Sequence, residues 1–140
     1  MTVHVVTAGD LVFVYGTPRD LVEWSQTHAR DLVFKYWIAL DIADEPRAGF
    51  LKPTHRGLLL YCKPGTKIKT VRIPHAQCSA CGRTLKDWGG KKHLMHPRGA
   101  ALSDVWRDLP RRRLTGKIPA DVLRRIQTLA GNENQPGPSR

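Results

Sequence analysis

With 140 residues, 41% of them hydrophobic, the chain has room for one domain with a modest core. No run approaches the ~18 apolar residues of a membrane span, and the N-terminus lacks the basic-then-apolar pattern of a signal peptide, so the sequence reads as a soluble, cytoplasmic protein. The formal net charge is +11 and is lopsided: residues 1–60 hold six Lys/Arg against seven Asp/Glu, a net of −1, and residues 61–140 hold seventeen against five, a net of +12. A neutral half that packs, beside a basic half that binds a polyanion, is what this division implies, with nucleic acid the first candidate.

In chain order, Leu11 to Tyr15 is a short apolar run between Gly9-Asp10 and Gly16, which predicts a buried strand with Val3 to Val6 as lead-in. Thr17-Pro18-Arg19-Asp20 is a helix start. Thr17 is suited to cap, Pro18 to the first helical position, and Asp20 to the positive end of the helix dipole. Leu21, Val22 and Trp24 give that helix an apolar side, and it runs towards Ala29. Leu32 to Ile42 is rich in β-branched and aromatic residues and Gly57 to Lys63 is an apolar run, so the two predict a hairpin with a long polar loop. Thr70 to Pro74 is a candidate short strand. Residues 75–117 show little periodicity, and a loop of that length needs something to hold it. Pro119 to Ala130 predicts a helix, with Val122, Leu123, Ile126, Leu129 and Ala130 on one face and Gly131 just past its end. Residues 131–140 read as a disordered tail.

The three cysteines, Cys62, Cys78 and Cys81, are an odd count with one C-x-x-C pair, which argues for metal over disulfides. Cys78 and Cys81 are followed by His93 and His96, giving two thiolates and two imidazoles, the donor types that a structural zinc takes in tetrahedral geometry. His75 is the reserve ligand. Two reduced surface cysteines with unrelated histidines are the plainer alternative. Cys62, inside an apolar strand, reads as a small buried hydrophobe.

The positive charge of the second half gathers at Lys86, Lys91 and Lys92, at Arg98 and Arg107, and at Arg111, Arg112 and Arg113. These are the candidate contacts to double-stranded DNA, and the alternative is a charged face that only keeps the chain soluble. Trp88 is the better candidate to stack on a base. Trp106, flanked by Leu102 and Val105, is expected to pack.

The stretch from Cys78 to Pro110, CSACGRTLKDWGGKKHLMHPRGAALSDVWRDLP, closely resembles a segment of bacterial and phage DNA methyltransferases that act on the exocyclic amino group of adenine or cytosine. Leu11 to Tyr15 is similar to the strand after their catalytic motif. Pro53 to Lys63 resembles their strand of the form H-E-hydrophobic-K. Ile118-Pro119 and the helix to Ala130 resemble the helix before their cofactor motif. The resemblance covers residues 9–130.

It implies an α/β fold: the edge of a partial doubly wound, Rossmann-like methyltransferase sheet with a zinc-stabilised loop insertion. Residues 1–74 would be partial core, 75–117 a zinc-binding, basic target-recognition insertion, 118–130 a core helix and 131–140 the tail. Such enzymes carry a catalytic Asp/Asn-Pro-Pro-Tyr/Phe/Trp motif and a cofactor motif Asp-Pro-Phe-x-Gly-x-Gly. Neither occurs in these 140 residues. The resemblance therefore implies a DNA-binding fragment or subunit of a restriction-modification methyltransferase, inactive alone, with no catalytic or cofactor-binding residue of its own. S-adenosylmethionine would enter only if a second chain completes the site. The base would be flipped out and gripped by those other motifs; lysines and arginines here hold phosphate or read base edges. A non-catalytic zinc-containing DNA-binding module is the alternative, and a ribosome- or RNA-associated basic zinc protein is a third reading that the Leu85-to-Trp106 stretch disfavours. With part of a sheet elsewhere, Leu11–Tyr15 and Val33-Phe34 are expected to form an exposed apolar face, unless they pack against the two helices of this chain.

Overall fold

Gly9, with a φ of 59°, supplies the left-handed backbone of a two-residue turn, and it folds β1 (His4–Ala8) back on β2 (Leu11–Gly16). The structure, a computed structural model, describes residues 2–43, 45, 49–68, 70–75, 80–81, 92–111 and 117–131. After β2, Thr17 Oγ1 accepts the Asp20 N–H at 3.2 Å and Pro18 opens α1 (Pro18–His28), the start that the sequence signals predicted. β3 (Val33–Asp41) and β4 (His55–Cys62) then form the expected antiparallel hairpin, with a bulge between Phe34 and Tyr36. Two short strands, β5 (Arg72–Ile73) and β6 (Ala100–Ala101), pair with each other in a separate ladder. β7 (Val105–Trp106) joins β3, and α2 (Ala120–Leu129) ends at Gly131, whose φ is 78°.

The main sheet has the order β1-β2-β4-β3-β7. β4 is antiparallel to both of its neighbours, so β2 and β3 run parallel with β4 inserted between them. β7 is parallel to β3, through the Ala39 N–H to the Asp104 carbonyl at 2.8 Å. The protein is mixed α/β, as expected, but its described strand pairs are mostly antiparallel, whereas a doubly wound sheet places parallel strands side by side. The two-residue turn and the hairpin loop return the chain antiparallel, and the crossover through α1 brings β3 in parallel to β2.

Alternation along the strands sends side chains to two cores. Leu11, Phe13 and Tyr15 of β2, Leu58, Leu60 and Cys62 of β4, and Ile38 and Leu40 of β3 meet Trp106 and the Val122, Ile126 and Leu129 face of α2. Val14, Leu59 and Tyr61 meet Leu21 and Trp24 of α1 on the other side. The result is three layers, one helix against each face of the sheet. Leu11–Tyr15 is thus no exposed face: both sides of β2 are covered by the chain's own helices. Val33 and Phe34, by contrast, are exposed, as is Tyr36. Trp106 packs as expected, its Nε1 donating to the Ser103 carbonyl at 2.9 Å and the Arg125 guanidinium lying 5.0 Å from its ring centre. Arg125 also bonds Asp108 through both terminal nitrogens and holds that carboxyl below its usual range, which ties α2 to the segment after β7.

Among the described residues, one buried pair of polar atoms is left over. Tyr15 is 3% exposed, it faces His4 across β1 and β2, and neither the Tyr15 hydroxyl nor His4 Nε2 has a hydrogen-bond partner among the described residues. Burial pushes the Tyr15 phenol up to about 12; Arg56 opposes this and Glu45 adds to it. The sign follows: the folded chain tolerates only the neutral phenol, so this contribution to stability is whole below about pH 10 and is lost between about pH 10 and about 12 as the unfolded chain ionises. Tyr15→Phe removes an orphaned hydroxyl and is expected to leave stability at neutral pH unchanged or raise it by about 1 kcal/mol. The variant should also gain on the wild type as pH rises. Urea midpoints of both proteins at about pH 9 and about pH 11 check this, and a difference that stays constant between them contradicts it.

Candidate nucleic-acid interface and metal-ligand segment

The cysteine-bearing segment leaves and re-enters the fold through one stem. Ile73 and Ala100 are paired, as are Arg72 and Ala101. The Leu102 N–H donates to the Val71 carbonyl at 2.8 Å, and Arg72 donates to the Gly99 carbonyl at 3.1 Å. Val71 is buried in the α2-side core, which anchors the stem to the sheet. Gly99 has a φ of 108°, and a Cβ there would collide with the Ile73 carbonyl, so the close approach of the two stem strands requires glycine. Sequence reasoning assigned the task of holding this long loop to metal ligands. The stem shows that backbone pairing does part of it, from residues too few to show strand periodicity.

Beyond the stem, His75 Nε2 lies 2.9 Å from the His96 carbonyl, which fixes Nε2 as the protonated nitrogen and leaves Nδ1 for another partner. His96 Nδ1 accepts the Arg98 backbone N–H at 3.1 Å. Desolvation, with Arg72, Arg98 and His75 adding to it, holds His96 below the ordinary imidazole range, so its neutral form dominates at neutral pH. The structure therefore brings His75 and His96 together at the neck of the segment. Cys81 is exposed with a free thiol and His93 is exposed in the middle of a 3-10 turn (Lys92–Leu94). Cys78 lies outside the described residues. Among the described residues no group of three His, Cys, Asp or Glu side chains gathers that could hold a metal, so the described part of the expected ligand set does not by itself form a site.

Of the candidate DNA contacts, Arg98, Arg107 and Arg111 are described and all three are exposed. Arg111 sits 3.7 Å from Asp41, at the carboxyl end of β3, with its side chain 72% exposed. An ion pair that open to water is worth little and leaves the guanidinium available. The side chain of Lys92, together with Lys86, Trp88, Lys91, Arg112 and Arg113, falls outside the described residues. Sequence reasoning missed two features. One is a polar cluster at the carboxyl ends of β2 and β3, where Arg56 donates to both oxygens of Glu45 at 2.8 and 3.0 Å near the Tyr15 hydroxyl. Arg56 stood beside His55 in the strand motif, but nothing in the sequence marks Glu45 as its partner. The other is a cavity of about 280 Å³ on the α2 side, walled by Tyr36, Leu60, Val71, Leu102, Trp106 and Leu129. It assembles from five separate stretches of chain, so no local pattern announces it.

No family model matches the chain. Over 94% of its length, however, the chain is 36% identical to Type II methyltransferase M.BamHI of Bacillus amyloliquefaciens. The chain is thus similar to part of a type II methyltransferase. It spans about a third, 33%, of that enzyme's length. The similarity covers more of the chain than the 9–130 stretch that carries the recognisable motifs.

The stem gives a direct test. Gly99→Ala is expected to cost about 1–3 kcal/mol of local stability, because alanine must hold a left-handed backbone against the Ile73 carbonyl. In amide hydrogen exchange the Leu102 N–H should lose protection while the amides of Leu58 to Leu60 keep theirs. Equal protection in both proteins at Leu102 would contradict the close approach of the stem strands.

Proposed function

We propose that this chain is the DNA-gripping portion of an S-adenosylmethionine-dependent DNA methyltransferase that modifies the exocyclic amino group of adenine or cytosine. The observation that carries the reading is the 36% identity over 94% of the chain to a type II methyltransferase. The catalytic and cofactor motifs come from polypeptide beyond these 140 residues, and S-adenosylmethionine binds there; this chain contributes sheet edge, helix layers and positive charge. The net of +12 in residues 61–140 suits the phosphate backbone of double-stranded DNA. Arg98, Arg107 and Arg111 carry that charge at exposed positions, and Lys86, Trp88, Lys91, Lys92, Arg112 and Arg113 extend the same reading. No described helix is long and apolar enough to cross a membrane, and the proposed site of action is the cytoplasm of a bacterium, on host or phage DNA.

A structural zinc on Cys78, Cys81, His93 and His96 belongs to the same proposal. Its support is the donor chemistry and spacing, together with the meeting of His75 and His96 at the neck of the segment. On this reading His75 Nδ1 is a free donor that can replace one of the other imidazoles.

Two measurements test the proposal. Protein purified without chelator should hold about one zinc per chain and lose it in Cys78→Ser; metal analysis showing none refutes the zinc site. Duplex DNA affinity should fall with salt at a log–log slope of about −0.9 for each phosphate neutralised. Replacing Arg111, Arg112 and Arg113 with Glu should weaken binding to every sequence and flatten that slope. Equal affinities and slopes for wild type and variant would remove the arginine cluster from the interface.

A further inference from the structure

The main sheet ends in two edges that are built differently. On the β3 side, β7 pairs only with Ala39 and Leu40, and ahead of that pairing β3 carries the bulge between Phe34 and Tyr36 and the exposed Lys35. A bulge, a lysine and a two-residue edge strand are devices by which sheets keep other strands away. β1, at the opposite edge, has none of them. His4-Val-Val-Thr-Ala8 is five residues in unbroken register with β2, with no lysine, proline or bulge. Ala8 and Leu11 close the two-residue turn as a bonded pair, so Val6 and Ala8 turn their backbone groups to β2 and Val5 and Thr7 turn theirs outward. Among the described residues nothing pairs with that outer edge. The side chains of Val5 and Thr7 are exposed as well, Val5 by 49%.

We propose that β1 pairs with β1 of a second copy of this chain, antiparallel about a two-fold axis at Val6, so that two five-stranded sheets join edge to edge. A row of outward N–H and C=O groups is the template for another strand, which names the kind of partner. Composition and charge name the strand. In that register Val5 faces Thr7 of the second copy and Thr7 faces its Val5, so both outward pairs are β-branched and neutral, and no like charges oppose each other. A two-fold contact demands such self-complementarity. Two chains of net +11 repel, but β1 belongs to the half whose net is −1, not to the half that carries +12. The competing occupant is an extended strand of polypeptide beyond these 140 residues. The pairing does not depend on the DNA-binding reading.

The test uses the whole chain in sedimentation velocity over about a hundredfold range of concentration. The wild type should reach the mass of two chains as concentration rises. Val5→Lys/Thr7→Glu sets a lysine opposite a glutamate at both outward pairs and should keep the dimer, now weakened by salt. Val5→Lys/Thr7→Lys sets lysine opposite lysine and should raise the dissociation constant about tenfold or more. These substitutions are at solvent-exposed positions, so the fold should persist, and unchanged far-ultraviolet circular dichroism verifies it. Val33→Lys, exposed on the β3 side, should dimerise as wild type. The Val5 and Thr7 amides should exchange slowly with solvent in the wild-type dimer, a readout that needs no variant. A wild type that stays a single chain at every concentration overturns the pairing, in favour of a strand from another polypeptide. Equal masses for the two double variants overturn it too, as does exchange at Val5 and Thr7 in the dimer as fast as at an unpaired amide.

Discussion

β4 is the strand on which the rest of this structure depends. Its backbone is bonded on both edges, to β2 and to β3, and from Gly57 to Cys62 its side chains are buried on both faces. A strand in that position must be apolar at every residue, and Gly57-Leu-Leu-Leu-Tyr-Cys62 is. At Gly57 the absence of a side chain is itself a packing requirement, since a Cβ there would meet the Leu21 and Trp37 side chains. Leu58 and Leu60 reach the α2 side and Leu59 and Tyr61 the α1 side, so both cores close on the same six residues.

The sheet built around β4 separates two kinds of surface. Its faces are covered by one helix each. Its carboxyl end gathers the Arg56–Glu45 pair, the Arg111–Asp41 pair and the exposed Phe50-Leu51 tip. The stem of β5 and β6 adds a second charged element, tied to the sheet through Val71 and carrying Arg98. On the proposed DNA-binding reading, exposed cations at the sheet end and on the stem would meet a polyanion from solvent without placing charge in the low-dielectric core.

Tyr15 and His4 are a local exception at that end of the sheet. Among the described residues, their two facing polar atoms are buried without partners at the β1–β2 pairing. Unpaired buried groups of this kind are uncommon and destabilising, and they lie beside the Arg56–Glu45 pair.

The sequence by itself determined the elements whose signals are local. Thr17 and Pro18 started α1, the 3.6-residue spacing of Val122, Ile126 and Leu129 placed the buried face of α2, and the two apolar runs flanking a polar loop predicted the β3–β4 hairpin. The motifs between Cys78 and Trp106 also pointed to the methyltransferase relationship that the comparison bears out. What only the tertiary structure decided was pairing between distant segments. The insertion of β4 between β2 and β3, the two-residue strands β6 and β7, and the partner that the short strand at Thr70–Pro74 finds in β6 depend on contacts too far apart in sequence to leave a periodic trace. Glu45 opposite Arg56, and Arg111 beside Asp41, are ion pairs of the same kind: each residue reads as an ordinary surface charge until folding sets its partner within reach. A strand of two residues has no period, and an ion pair has no sequence signature. Both are written only in the geometry that β4 imposes.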